Sequence, residues 1–145
     1  MSSLDQQQLD AQRHAVETIY RAFSENKPDL LNDVVTPDWQ DIPLAPGQAP
    51  GPAGLKPIIA AFVSAMPDVT IIIHELMQLP NKIAVRAEIR GTHQGEIFGI
   101  PASGKAVSFS LHEFHHLQGD KVVTTWHQED WLSFFHQVGQ FPPVQ

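Results

Sequence analysis

The sequence runs to 145 residues, of which 42% are hydrophobic and 17% charged. Those proportions suit a single folded domain of roughly 100–150 residues and exclude a disordered tail. Sixteen acidic against nine basic residues leave a formal net charge of -7, and with no local cluster of Lys and Arg to override it no nucleic-acid partner is expected. The absence of cysteine removes disulfides, thiolate nucleophiles and Cys-based zinc sites. Met1-Ser2-Ser3-Leu4-Asp5 does not read as a signal peptide, and every apolar run is shorter than the roughly 18–20 residues of a membrane span. A cytoplasmic protein with no membrane partner is therefore expected.

From Asp5 to Glu25 the apolar residues Leu9, Val16, Ile19 and Phe23 recur at helical spacing, which predicts an amphipathic helix ended by Asn26-Lys27-Pro28. A short second helix is expected over Asp29–Val35, before Thr36-Pro37 breaks the run. Pro37 to Pro57 holds six prolines and three glycines, too many for a regular helix or a central strand, so a long functional loop or lid is expected there. Helical spacing returns over Lys56–Met66, with Ile58, Ile59, Phe62 and Val63 as the buried face and Pro57 in the first turn.

Beyond Pro67-Asp68 the texture changes to strands. Val69–Leu79 is rich in β-branched residues and closes at Pro80-Asn81. Lys82–Gly91 alternates, with Ile83, Val85, Ala87 and Ile89 on one side, and Thr92-His93-Gln94-Gly95 suggests a bulge or sharp bend. After the turn residues 99–105, one strand face carries Val107, Phe109, Leu111, Glu113, His115 and Leu117. Gln118-Gly119-Asp120 then reverses the chain into Lys121–Glu129. Trp131, Leu132, Phe134 and Phe135 predict a short closing helix or a last strand extension. Helices followed by antiparallel strands predict one α+β domain over residues 1–145, ordered from about residue 5 to 140, in which a curved sheet wraps over helices around an interior pocket.

Five of the eight histidines lie between residues 112 and 136, in a segment that also holds Glu113, Glu129 and Asp130. With a three-residue hairpin loop, Glu113 faces Thr125 and Leu111 faces His127, so Glu113, His115, Thr125 and His127 share one side. A carboxylate and an imidazole in diagonal cross-strand contact can pass a proton, because the imidazole titrates near working pH. The same residues also read as ordinary polar partners on a sheet face, or, as a third reading, Glu113, His115 and His127 read as ligands of a divalent ion. Asp41, close to Trp39 in the proline-rich loop, either points into the pocket mouth or caps local amides. His93 either lines the cavity or stabilises the bend. No phosphate loop, dinucleotide fingerprint or nucleophile elbow is present.

Gly91-Thr-His-Gln-Gly-Glu-Ile-Phe-Gly-Ile-Pro-Ala-Ser-Gly-Lys105, the hairpin Gly119-Asp-Lys-Val-Val-Thr-Thr-Trp126 and Gln137-Val-Gly139 together resemble the SnoaL-like polyketide cyclase family. Thr36-Pro37-Asp38-Trp39, Gly54-Leu55 and Met66-Pro67-Asp68-Val69 extend that resemblance to about residues 10–140. It implies the nuclear transport factor 2-like fold, an α+β cone with a deep pocket. It also implies ring closure by intramolecular aldol condensation of a polyketide ester, with no metal and no organic cofactor. The family's acid–base aspartate falls on His127, its assisting histidine on Glu113 and a pocket asparagine on Asp41, so the acid–base residue types are exchanged.

The expected enzyme is thus a cofactor-independent cyclase in which His127 removes a proton alpha to a carbonyl and Glu113 orients and recharges it. Trp39, Asp41, His93, His115 and Thr125 are expected to line the small-molecule substrate's pocket, with no metal site. A non-catalytic binding module with the same pocket is the alternative. A homodimer is expected through the convex face carrying His112, Phe114, His116, Val122, Thr124 and Trp126, unless the closing helix around Trp131 and Phe135 covers that face.

Overall fold

The computed structural model describes residues 3–144. Helix α1 spans Gln6–Ser24 and begins with a capping box, in which the Asp5 side chain accepts from the Gln8 amide while the Gln8 side chain accepts from the Asp5 amide. Its buried face carries Val16, Ile19 and Tyr20, and also Gln12. The Gln12 amide bonds Asn81 and the Gly119 carbonyl, pinning both strand-connecting turns to the helix. The expected second helix is one 3-10 stretch, Pro28–Asp33.

Strand β1 covers Val35–Ile42, where a loop was expected. The proline-rich composition does not prevent a strand here because β1 lies at the edge of the sheet, and Pro37 falls in the irregular interval between the Val35 and Gln40 pairings. Its missing N–H therefore costs no ladder bond. Helix α2, Pro52–Ala65, starts four residues earlier than expected, with Pro52 rather than Pro57 in its first turn. The loop before it crosses so close that a Cβ on Gly54 would sit 1.6 Å from the Ala49 carbonyl oxygen.

Strands β2 (Thr70–Leu79), β3 (Lys82–Thr92), β4 (Ala106–Gln118) and β5 (Lys121–Glu129) are antiparallel neighbours, and β1 pairs in parallel with β5, for a sheet order β1-β5-β4-β3-β2. A register break at His74 moves the inward side chains of β2 from Ile71 and Ile73 to Leu76, which leaves Met77 and Leu79 outside. After β3 the chain leaves the sheet. The Gln94 and Gly95 amides donate to the Ala65 carbonyl and finish α2, which accounts for the bend anticipated at residues 92–95. A Cβ on Gly95 would meet the Ser64 carbonyl oxygen at 2.3 Å.

The β4–β5 hairpin differs in register from the three-residue loop expected. Gln118 pairs Lys121 across a two-residue turn, and a register break between His116 and Leu117 follows, so Glu113 stands directly opposite His127 and His115 opposite Thr125. A shift of two residues preserves side-chain parity, and the four therefore still share the concave face. Val122 is the exception. Paired with Leu117 on the turn side of the break, it is fully buried and does not belong to the convex set.

Helix α3, Trp131–Val138, is capped by Asp130, which accepts from the Ser133 amide, and ends at Gly139 in the left-handed conformation. It closes the concave side, where Trp131 and Phe134 pack on Phe109 and Trp131 meets Phe62. The helix does not cover the convex face, where Phe114 and Trp126 stay exposed. Helices thus fill one side of a curved, unclosed sheet and leave a cavity between them. No helix among the described residues is long and apolar enough to cross a membrane.

Candidate active site

The cavity has a volume of about 790 Å³, room for a ligand of several fused rings. Its wall is apolar and aromatic, with Phe23, Leu55, Ile58, Phe62, Phe98 and Trp131 contributed by the helices and the 95–100 segment. Most of its polar groups come from adjacent strands. Period-two alternation on β5 turns Thr125, His127 and Glu129 inward, while β1 supplies Trp39 and Asp41, β4 supplies Glu113 and α1 supplies Tyr20.

His127 is held at both ring nitrogens. Nδ1 donates to Glu129 at 2.8 and 3.0 Å, and Nε2 donates to the Pro43 carbonyl oxygen at 2.7 Å with Asp41 Oδ1 3.4 Å away. Two acceptors on one imidazole call for two N–H groups, which is the imidazolium. Burial of the ring opposes that charge, but the hydrogen bond and charge of Glu129, the charge of Asp41 and the Pro43 carbonyl outweigh it and push the pKa to about 9. Asp41 is buried, which raises its pKa, while a hydrogen bond from Gln48 at 2.8 Å and the nearby His127 pull it back.

Glu113 Oε1 accepts from the Tyr20 hydroxyl at 2.8 Å and lies 3.3 Å from His115 Nε2. Burial, followed by the Glu113 charge and hydrogen bond, pushes Tyr20 well above the ordinary phenol value, so it remains a donor at any working pH. His115 is fully buried between Tyr20 and Thr125, 2.8 and 2.9 Å from their oxygens, and does not face the cavity. With both nitrogens engaged it is no ligand, and the three-residue metal set suggested by the sequence is not assembled. The groups that do converge are Glu113, His127 and Glu129, each offering an atom within 4.8 Å of the others.

Trp39, Asp41 and Thr125 line the cavity, whereas His93 does not. His93 is fully buried at the bend, with Nδ1 2.9 Å from Ser103 Oγ and its ring edge-on to Phe134. Five polar lining residues escaped the sequence reading: Tyr20, Gln48, Ser64, Glu96 and Glu129. For Glu129 a signal existed, since it lies two positions beyond His127 on the same strand face.

Counted together, the lining holds the carboxylates Asp41, Glu96, Glu113 and Glu129, one imidazole and no Lys or Arg. Such a cavity, walled by aromatic residues and floored by an imidazole among carboxylates, defines an α+β cone with an interior pocket. The chain belongs to the SnoaL-like polyketide cyclase family, whose model matches residues 13–138. Its structure is similar to that of TsrD from Streptomyces laurentii, at TM-score 0.84 and 24% identity over 96% of this chain and 100% of the other. A candidate polyketide cyclase from Bacillus cereus ATCC 10987 gives TM-score 0.83 and 26% identity over 94% and 85%. IdmH, a candidate polyketide cyclase from Streptomyces antibioticus, gives 0.77 and 23% over 88% and 97%. No curated protein sequence matches the chain.

Proposed function

We propose that the chain is an enzyme that moves protons at a carbon next to a carbonyl, as in the intramolecular aldol ring closure of a polyketide or a smaller keto ester. The carrying observation is that His127 has an acceptor at each ring nitrogen, the Glu129 carboxylate at Nδ1 and the Pro43 carbonyl at Nε2, which calls for the imidazolium. A doubly protonated imidazole cannot accept a proton, which reverses the roles expected from sequence. Glu113 removes the α-proton, and the His127 imidazolium donates to the carbonyl oxygen as it gains charge, that oxygen taking the place of the Pro43 carbonyl on Nε2. The resulting enolate carbon attacks a second carbonyl of the same substrate, forming the ring bond and an alkoxide, which takes the proton that Glu113 removed and restores the carboxylate. Four lining carboxylates without a Lys or Arg favour an uncharged substrate, an ester over a free acid.

Exchange of α-protons of a β-keto ester for deuterium, followed by proton NMR in D2O, tests the reading without knowledge of the natural substrate. The parent should accelerate exchange, and Glu113→Gln should lower the rate about 100- to 10,000-fold. Tight retention of the ester with no exchange above buffer would reassign the pocket to a binding module, the reading that its largely apolar wall favours.

We also infer that two copies pair through the convex face of the sheet. Met77, Ala84, Phe114, Trp126 and Ile42 are register partners in turn across all five strands, and Met77 and Phe114 are about 60% exposed (61% and 62%). A continuous apolar row of this kind is unusual on an isolated soluble domain and is most simply covered by its own copy about a two-fold axis.

A further inference from the structure

Behind Glu113 runs a line of polar groups that the acid–base pair alone does not account for. Trp39 Nε1–H donates to Thr125 Oγ1 at 3.1 Å. Thr125 Oγ1 is 2.9 Å from His115 Nδ1, His115 Nε2 is 2.8 Å from the Tyr20 oxygen, and the Tyr20 hydroxyl is 2.8 Å from Glu113 Oε1. Trp39, Thr125, His115 and Tyr20 are each at most 3% exposed, so no bulk water competes for these bonds.

The proton inventory gives the line a direction. An indole N–H can only donate, so it occupies Thr125 Oγ1 as an acceptor, and the threonine's single proton goes to His115 Nδ1. That leaves Nδ1 as the bare nitrogen of a neutral ring, whose proton sits on Nε2 and points at the Tyr20 oxygen. The one tyrosine proton then points at Glu113. In the reverse order the indole and an Nδ1–H would both donate to Thr125 Oγ1, stranding the threonine proton and taking the tyrosine proton from the carboxylate. Stranding a buried donor costs more than the bond it would make, and donors aligned head to tail strengthen one another.

We propose that Trp39, Thr125, His115 and Tyr20 are positioning residues, forming a one-way chain of hydrogen bonds that ends on Glu113 and holds it as a carboxylate. This rests on the reading of Glu113 as the base. Oε1 is fixed by the chain, while Oε2 accepts no hydrogen bond among the described residues and is left for substrate. The charged and titratable groups around Glu113 are Tyr20 from α1, His115 on its own strand, Asp41 from β1, and His127 and Glu129 from β5. Of these, only the Tyr20 hydroxyl gives Oε1 a hydrogen bond.

Two measurements test the proposal. The first is the tautomer of His115 in unliganded protein, read by long-range proton–nitrogen NMR of 15N-histidine-labelled samples. A proton on Nε2 and none on Nδ1 is expected, whereas the Nδ1–H tautomer would overturn the chain. The second is the pH profile of α-proton exchange. Tyr20→Phe should slow exchange about tenfold to a hundredfold, the range for a hydrogen bond to a charged group, and Thr125→Val, which removes bonds between neutral groups, about twofold to tenfold. Both should also move the acid limb of the profile to higher pH, because an unsupported carboxylate holds its proton longer. Thr125→Ser keeps the hydroxyl and should reverse most of the loss seen with valine. Tyr20→Phe and Thr125→Val with the parent's rate and acid limb would overturn the positioning role, and if the valine variant fails to fold, the phenylalanine and serine variants decide. A parent with no exchange at all would sink the enzyme reading, and with it the base that the chain serves. The His115 spectrum would still report the chain's direction, so the two failures are told apart.

Discussion

His127 carries the main physical consequence of the site. Its imidazole is enclosed yet charged, because Glu129, Asp41 and the Pro43 carbonyl together outweigh the cost of burying the ring. A folded-state pKa of about 9, above the ordinary 6.5, makes a stability contribution that is fully present below about pH 6.5 and is lost as pH rises through about 9. Thermal unfolding of the parent should therefore show a midpoint that falls between those limits, with a flatter dependence in His127→Gln. Equal slopes in the two proteins would place the charge elsewhere. Glu113, Asp41, Trp39, Thr125 and His127 were legible in the sequence because alternation along a strand fixes which side chains share a face, even where register is misjudged by two. Tyr20 was not legible, since a tyrosine on a helix stripe carries no mark of the strand residue it will meet. Nor could local pattern reveal that His115, on the right face, would end beneath Tyr20 instead of in the cavity.

Among the elements, the strands and α1 followed their hydrophobic periods, and the proline-rich stretch did not follow its composition. Pro37 is tolerated because the edge strand β1 has an irregular pairing where the proline sits. Edge position is a property of the assembled sheet, invisible in a local window. The loop from Pro43 to Gly51, which carries the Pro43 carbonyl to His127, is anchored by its crossing over Gly54. Alanine at a helix position is ordinarily favoured over glycine by about 1 kcal/mol. Here a methyl group would collide with the Ala49 carbonyl oxygen, backbone that cannot move without displacing the loop. Gly54→Ala should destabilise the fold by about 1–3 kcal/mol, the usual cost of overpacking, measured by urea unfolding. A stabilised variant would mean that the loop gives way freely.

The folded chain as a whole presents two unlike faces, a concave one filled by helices and a convex one crossed by an apolar row. The fold class and the concave pocket were legible from the order of helices and strands. The extent of the row was not, because Met77 reaches the outside only through the register break at His74. Sedimentation equilibrium at micromolar concentration should give a mass near twice the chain's 16.1 kDa. Phe114→Glu, at an exposed position where the fold itself loses little, should return the monomer mass. A parent that stays at 16.1 kDa as concentration is raised would reject the pairing.

A pocket that works with an imidazolium and a carboxylate sets the pH profile of α-proton exchange by the parent. With His127 as the proton donor, exchange should fall as pH rises through about 9, where the ring loses its charge. Were His127 the base, only its neutral form would act, and exchange would climb over that same interval; a rate that climbs there would take the donor role from His127 and the base role from Glu113.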